Sequence, residues 1–287
     1  MKDIDEIKKV VVLGAGTMGN GIAQISAMAG WKTWLYDIEE AFVQKGMDRI
    51  RSMLQKAVDR GKMDPEKKDA TLALLSTSCE LEESVPGADL VIEAIPEQMA
   101  LKKEVFARVA ELVSDDCLLA SNTSSLSVSE IAEVIKNPER FLGMHYFNPP
   151  PIMKLCEIVK GAKTSVEAVT LARAIAEKQG REPIVVKDRP GFASSRLGLV
   201  LGLEAIRMVE EEVASPEDID KAMKLGYRHP MGPLELTDLV GLDVRLSIAQ
   251  YLAATLDDRR FDPPDLLKQM VAEGKLGKKS GEGFYRW

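Results

Sequence analysis

Gly14, Gly16 and Gly19 stand at the spacing G-x-G-x-x-G, with Thr17 and Met18 between the last two glycines. A short apolar, β-branched run, Lys9–Gly14, leads into them, and a stretch with helical spacing, Thr17–Ala29, leads out. In that context each glycine has a physical task. Gly14 permits a tight turn. Gly16 lets the main chain approach a pyrophosphate, which the helix N-terminus then stabilises. Gly19 lets helix and strand pack closely. Asp37 closes the next apolar run, Lys32–Asp37, about 20 residues further on, where a carboxylate accepts hydrogen bonds from adenine-ribose hydroxyls. That carboxylate repels a 2′-phosphate, and Ile38-Glu39-Glu40 offers no Lys or Arg to hold one. The pattern points to NAD rather than NADP. The bland alternative is a tight βα turn with Asp37 as a helix cap.

A second group of residues could move a proton. The chain has two histidines. His145 lies in Gly143-Met144-His145-Tyr146-Phe147-Asn148-Pro149, at the end of an expected strand, and strand ends are where parallel α/β sheets place ligands. A neutral imidazole there can accept the hydroxyl proton when a carbinol loses hydride. It can equally be a structural hydrogen-bonding group. Glu157 interrupts the apolar run Leu155-Cys156-Glu157-Ile158-Val159, and a carboxylate in such a strand needs a partner. Pairing with His145 would orient the ring and favour its imidazolium form. Solvent, Lys154 and Lys160 are the other options. His229, in the turn Tyr227–Pro233, reads as structural or exposed.

The elements that must position these groups follow from periodicity. Expected strands are Lys9–Gly14, Lys32–Asp37, Ala88–Ile95, Cys117–Ala120, Phe141–His145, Lys154–Val159 and Glu182–Lys187. Helical spacing fills Thr17–Ala29, Glu39–Arg60, Asp64 to about Leu75, Gln98–Val113, Val128–Ile135 and Ser165–Gln179. This alternation predicts an α/β fold, a Rossmann-type doubly wound and mostly parallel sheet. Beyond Asp188-Arg189-Pro190-Gly191 only helices are expected, at 194–213, 215–224, 232–255 and 263–273. The chain therefore divides into an NAD-binding domain, 1–187, and a second, smaller all-α domain, 188–287.

Whole-chain properties exclude several classes. Lys and Arg number 38 against 45 Asp and Glu, a net charge of −7, which argues against a general nucleic-acid binder. No apolar run approaches the roughly 20 residues of a membrane span. The charged start, Met1 to Lys9, looks like neither a signal nor a transit peptide. Cys79, Cys117 and Cys156 are odd in number and lack metal or redox spacing, so reduced thiols, a cytoplasmic location and no metal site are expected.

With these residues in hand the chain resembles the L-3-hydroxyacyl-CoA dehydrogenase family, including its bacterial 3-hydroxybutyryl-CoA dehydrogenases. The likeness runs nearly end to end. It rests on the glycine loop, Asn122-Thr123-Ser124-Ser125, the His145 segment, Met153-Lys154-Leu155-Cys156-Glu157, Asp188-Arg189-Pro190-Gly191-Phe192, Tyr227–Pro233, Asp238–Asp243 and Gly277–Tyr285. The resemblance implies NAD-dependent, reversible oxidation of an (S)-3-hydroxyacyl-CoA, of the 3-hydroxybutanoyl type, in fatty-acid or butanoate metabolism. It implies His145 as general base, Glu157 as its orienting group, and Ser124 as donor to the reacting oxygen near the nicotinamide. Glu97, Lys102, Asn122 and Lys279 are implied toward the cofactor, and Asn148 toward the substrate. The helical domain would close over the acyl thioester and form a homodimer. One departure stands out: the family carries an asparagine after Pro-Gly-Phe as a donor near the substrate carbonyl, and here Ser195 occupies that place.

CoA is a polyanion, and Lys45, Arg49, Ser52, Lys56 and Arg60 share one stripe of the Glu39–Arg60 helix. That stripe is either a solvated face or a contact for the CoA phosphates through Lys56 and its neighbours. An enzyme of the same fold acting on a sugar acid or a carnitine-like alcohol is the nearest rival. A nucleotide-binding protein without catalysis is the rival of another class, and it would lack His145 or Glu157.

Overall fold

A computed structural model describes residues 2–287; Met1, where the charged N-terminal stretch begins, lies outside the described residues. They form two compact units, the first running to Asp188 and the second spanning Arg189–Trp287.

In the first unit, unbroken β-branched runs become strands with both faces covered. Val10, Val11 and Val12 in β1 (Lys9–Leu13) and Leu90, Val91 and Ile92 in β4 (Leu90–Glu93) are fully buried. Eight strands form one sheet in the order β3-β2-β1-β4-β5-β6-β7-β8. The others are β2 (Lys32–Tyr36), β3 (Leu75–Ser78), β5 (Leu118–Ser121), β6 (Phe141–Tyr146), β7 (Leu155–Lys160) and β8 (Glu182–Lys187). All neighbours are parallel except β6 and β7. Strand order reverses between β1 and β4, so a crevice opens beyond their carboxyl ends, the place where such sheets bind ligands.

The helices are α1 (Thr17–Met28), α2 (Glu40–Asp59), α3 (Pro65–Ala73), α4 (Leu81–Ser84), α5 (Met99–Leu112), α6 (Val128–Ile131) and α7 (Val166–Lys178). α2 buries Val43, Met47, Ile50 and Leu54 and leaves Lys45, Arg49, Ser52 and Lys56 exposed, as an amphipathic helix on a sheet requires. Two expectations are corrected here. The helix expected to reach Leu75 stops at Ala73, because Leu75–Ser78 pairs with β2 as an edge strand. The helix expected over Val128–Ile135 holds α geometry only to Ile131 and finishes as a 3₁₀ turn, Ala132–Val134.

The second unit packs α8 (Ser194–Glu210), α9 (Pro216–Gly226), α10 (Pro233–Val240), α11 (Leu242–Leu256) and α12 (Asp265–Ala272) around Leu203, Ile206, Leu234, Leu252, Phe261 and Leu267. Asp220 caps α10, accepting from the N–H of Leu234 and of Glu235 at 2.8 Å each. The single helix expected over 232–255 is two helices bent by 98°. Gly241 takes φ +103°, and the Leu242 N–H leaves the helical ladder for the Leu276 carbonyl. The carboxyl-terminal segment passes beside this break and is fastened by Asp238, which accepts from the N–H of Phe284 and of Tyr285 at 2.9 Å. No single helix among the described residues is long and apolar enough to cross a membrane.

Candidate active site

The turn after β1 shows why glycine is needed there. Gly14 has φ +99°, and a Cβ on it would lie 2.6 Å from the Ala94 carbonyl oxygen at the end of β4. A Cβ on Gly19 would lie 1.7 Å from the Gly14 carbonyl oxygen, so only hydrogen lets α1 start this close to the strand. A Cβ on Gly16 would meet nothing within 4 Å, which leaves its main chain open to a ligand. The Asp37 carboxylate is held at the end of β2, accepting from the N–H of Ala15 at 2.7 Å and of Ile38 at 2.8 Å. Gly14, Gly16, Thr17, Met18 and Asp37 line a cavity of about 500 Å³ with Tyr36, Phe42 and Pro96 among its walls. An open main chain at a helix N-terminus, a carboxylate at the next strand end and apolar walls fit a dinucleotide with a free adenine ribose.

A second cavity, about 320 Å³, is lined by His145, Ser124, Asn122, Glu97, Lys102 and Met18, with Asn148 at its edge. Antiparallel pairing sets His145 directly across from Glu157, so both side chains leave one face of the sheet. The His145 Nδ1 lies 2.8 Å from Glu157 Oε2, and Glu157 is wholly buried. With Nδ1–H donated to the carboxylate, a neutral ring carries its lone pair on Nε2. The Phe147 ring packs 4.5 Å from the imidazole, centroid to centroid, and limits its rotation. Asn122 accepts from the Tyr146 N–H at 2.9 Å through Oδ1, tying the end of β5 to the residue beside His145.

Below Ser124 lies an array of charge that periodicity alone does not bring together. Glu93, at the end of β4, is fully buried. Its Oε1 accepts from Lys102 Nζ at 2.5 Å and from the Ile95 N–H at 2.8 Å, and its Oε2 from the Ser121 hydroxyl at 2.6 Å. Lys102, also buried, lies 3.2 Å from Glu97 Oε2. The other Glu97 oxygen gathers the Thr123 hydroxyl at 2.6 Å, the Ser124 N–H at 2.9 Å and the Ser125 N–H at 3.2 Å. Burial pushes the Glu93 carboxyl up, against Lys102 and Ser121. Burial acts upward on Glu97 too, but Lys102 and the donors from Thr123 and Ser124 outweigh it and hold that carboxyl below its usual value. One lysine thus joins two carboxylates, and the second fixes the loop that carries Ser124.

A groove of about 850 Å³ runs along α2, lined by Lys45, Arg49, Ser52 and Lys56 on one side and Asn148, Pro149 and Pro150 on the other. Arg60, the last member of the expected stripe, is the C-cap of α2 and is not part of that lining. In the second unit, Ser195 is half-buried in the first turn of α8, and exposed Lys279 is ion-paired with Asp243, at 2.6 Å to Oδ2. Glu93 is the site residue that the sequence reading passes over. Its signal was the same as that of Glu157: an acid inside an apolar strand.

Two family models match. The 3-hydroxyacyl-CoA dehydrogenase NAD-binding domain matches residues 9–189, and the 3-hydroxyacyl-CoA dehydrogenase C-terminal domain matches residues 191–287. The chain is 46% identical over 280 residues to a probable 3-hydroxybutyryl-CoA dehydrogenase of Bacillus subtilis, covering 98% of this chain and 97% of that one. It is 42% identical over 285 residues to a 3-hydroxybutyryl-CoA dehydrogenase of Mycobacterium tuberculosis, covering 99% of each. Among solved structures, the (S)-3-hydroxybutyryl-CoA dehydrogenase of Ralstonia eutropha superposes with a TM-score of 0.95 at 39% identity, over 98% of this chain and 99% of that one.

Proposed function

The chain belongs to the 3-hydroxyacyl-CoA dehydrogenase family, a family of NAD-dependent oxidoreductases, and from that premise we propose that it interconverts (S)-3-hydroxybutanoyl-CoA and acetoacetyl-CoA. The observation that carries the reading is the His145–Glu157 pair, 2.8 Å apart, opening onto the cavity that also holds Ser124. Bound NAD supplies the hydride acceptor. His145 Nε2 takes the proton of the 3-hydroxyl as the C3 hydride leaves, and the buried Glu157 carboxylate steadies the imidazolium that results. The Ser124 hydroxyl, on a loop fixed by Glu97, stands by to hold the reacting oxygen as its charge changes. Glu97, Lys102 and Asn122 shape the wall toward the nicotinamide, and Gly14, Gly16, Thr17, Met18, Gly19 and Asp37 take the rest of the dinucleotide. Ser195 is read as the short donor where the family has an asparagine, and Lys279 as a cofactor-side cation.

The test is to mix the protein with NADH and acetoacetyl-CoA and follow absorbance in the NADH band. Oxidation that requires the thioester, and is much weaker with NADPH, supports the reading. NADH binding without oxidation removes the substrate assignment.

Lys56 is assigned to the CoA phosphates, because it stands exposed in the α2 groove opposite Asn148. Lys56→Glu is expected to raise KM for acetoacetyl-CoA about tenfold and leave KM for NADH unchanged, since one phosphate contact becomes a repulsion. Equal shifts in both constants would contradict the assignment. A cytoplasmic homodimer working in fatty-acid or butanoate metabolism completes the proposal. Its helical unit exposes Leu197, Leu225, Tyr227 and Val213, apolar surface of the kind that subunits bury.

A further inference from the structure

Asp188, the first residue of Asp188-Arg189-Pro190-Gly191-Phe192, lines neither the His145 cavity nor the dinucleotide cavity, yet it is tied to the segment that carries Ser124. Its N–H donates to the Lys160 carbonyl at 3.0 Å, one rung beyond the end of β8, so its main chain is held by the sheet. One oxygen of its carboxylate, Oδ2, accepts from the Ser127 hydroxyl at 2.9 Å and from the Ser129 N–H at 2.7 Å. An ionised acceptor makes both bonds stronger than a neutral one would.

Those two donors stand at the start of α6. With only Val128–Ile131 in α geometry, this helix is too short to hold its own place, and its anchors decide where it lies. Ser127 is its N-cap: the hydroxyl proton goes to Asp188, while the oxygen accepts from the Glu130 N–H at 3.2 Å. The Ser129 N–H is a first-turn amide with no acceptor inside the helix, and Asp188 supplies one. Back from Ser127 the chain is short and braced. The Thr123 hydroxyl oxygen accepts from the Leu126 N–H at 2.9 Å, and Glu97 collects the N–H groups of Ser124 and Ser125. Two carboxylates thus grip one loop. Glu97, ahead of α5, holds its turn, and Asp188, after β8, holds its far end at Ser127.

We propose that Asp188 is a positioning residue for hydride transfer: by fixing Ser127 and the start of α6, it sets where the Ser124 hydroxyl stands in the cavity it shares with His145. The proposal rests on the dehydrogenase reading above. A single Glu97 oxygen gathers the donors of Ser124 and Ser125, and a loop held at one atom can pivot about it; the second grip removes that freedom. A donor that meets an oxygen as its charge changes must already be in place, since a displacement of about 1 Å can cost on the order of 10²-fold in rate. Ser165 is the contrast, a cap that serves its helix alone. It accepts from the Ala168 N–H at 3.0 Å, and among the described residues no member of its helix, α7, lines the His145 cavity.

The experiment is a double-mutant cycle read in kcat for the reduction of acetoacetyl-CoA by NADH, well below the Tm of every variant. Asp188→Ala is expected to lower kcat by about 10–10²-fold and to leave the Kd for NADH unchanged. On a Ser124→Ala background the same substitution is expected to change kcat by less than about twofold, because a residue that acts through a hydroxyl has nothing to position once the hydroxyl is gone. Asp188→Asn keeps the acceptor and the shape and is expected to retain most of the rate. Ser127→Ala removes one arm of the clamp and leaves the carboxylate, so it serves where Asp188→Ala does not fold. Its expected loss is about three- to tenfold, the worth of one hydrogen bond, and it too should vanish on the Ser124→Ala background. Ser165→Ala, which deletes a cap elsewhere, is expected to lower Tm and leave kcat alone. Losses that add to that of Ser124→Ala overturn the proposal, as does an unchanged kcat beside a lowered Tm; either makes Asp188 a residue of the fold alone. Inactivity of the wild type with acetoacetyl-CoA is a separate failure, which removes the dehydrogenase reading and this role with it.

Discussion

Replacing His145 by glutamine is expected to cut kcat for the reduction of acetoacetyl-CoA by about 10²–10⁴-fold while NADH binding is preserved. Glutamine is the informative substitution because of Glu157. That carboxylate is completely buried and lies 2.8 Å from the imidazole Nδ1. Alanine would leave a buried charge short of a donor, and the loss of rate would be mixed with a loss of fold. A glutamine amide can still donate to Glu157, so the sheet between β6 and β7 keeps its register. The side chain can no longer exchange a proton with the substrate oxygen. The dinucleotide contacts proposed for Gly14, Gly16 and Asp37 belong to a cavity that His145 does not line, so they are expected to survive. NADH fluorescence titration and steady-state kinetics on the same preparation decide the matter. Turnover at the wild-type level would remove His145 from the proton-transfer role.

Much of the fold was readable because its strands are buried on both faces. Val10–Leu13 and Leu90–Ile92 read as strands from composition alone, since little but β-branched and aliphatic residues tolerates such burial. β3 was invisible for the opposite reason. Leu75-Ser76-Thr77-Ser78 is a polar edge strand whose place is fixed by pairing with β2 rather than by an apolar face. The bend at Gly241 was missed because apolar spacing runs through it. Its cause is tertiary: the Leu242 N–H pairs with Leu276, far along the chain.

In the site, legibility tracked how local the signal was. The glycine loop and Asp37 belong to one βαβ unit, so spacing reaches them. His145 and Glu157 belong to adjacent strands, so one register brings them face to face. The Glu93–Lys102–Glu97 array joins β4, its following loop and α5 through side-chain lengths that no periodicity encodes. Spacing alone makes Lys102 one lysine of the helix that becomes α5, and the resemblance pointed it toward the cofactor; neither links it to Glu93. Only burial reveals that Lys102 carries its charge inside the protein.

That array carries the other large expected effect. Lys102→Met is expected to destabilise the protein by about 3–5 kcal/mol near pH 8, a drop in Tm on the order of 10 °C. The substitution keeps the length of the side chain but leaves Glu93, among the described residues, with only the Ser121 hydroxyl and the Ile95 N–H as donors. The loss should depend on pH, with a definite sign. Burial already raises the Glu93 carboxyl in the folded protein, and Lys102 is the first of the groups opposing that rise. Without the lysine it rises further, so the folded state holds a proton that the unfolded chain has released. Stability then falls as pH climbs from the unfolded value, near 4.5, through the raised folded one. Glu97 adds in the same direction. Lys102 helps hold its carboxyl low, which stabilises the fold above the unfolded value, and that contribution goes with the lysine. Thermal melts of wild type and variant at pH 5 and pH 8 should therefore show the smaller difference at pH 5. Glu93→Gln added to Lys102→Met should recover stability at pH 8, because the buried charge has gone. A difference in Tm that is the same at both pH values, with no recovery in the double variant, would mean that Lys102 is held by packing rather than by the two carboxylates.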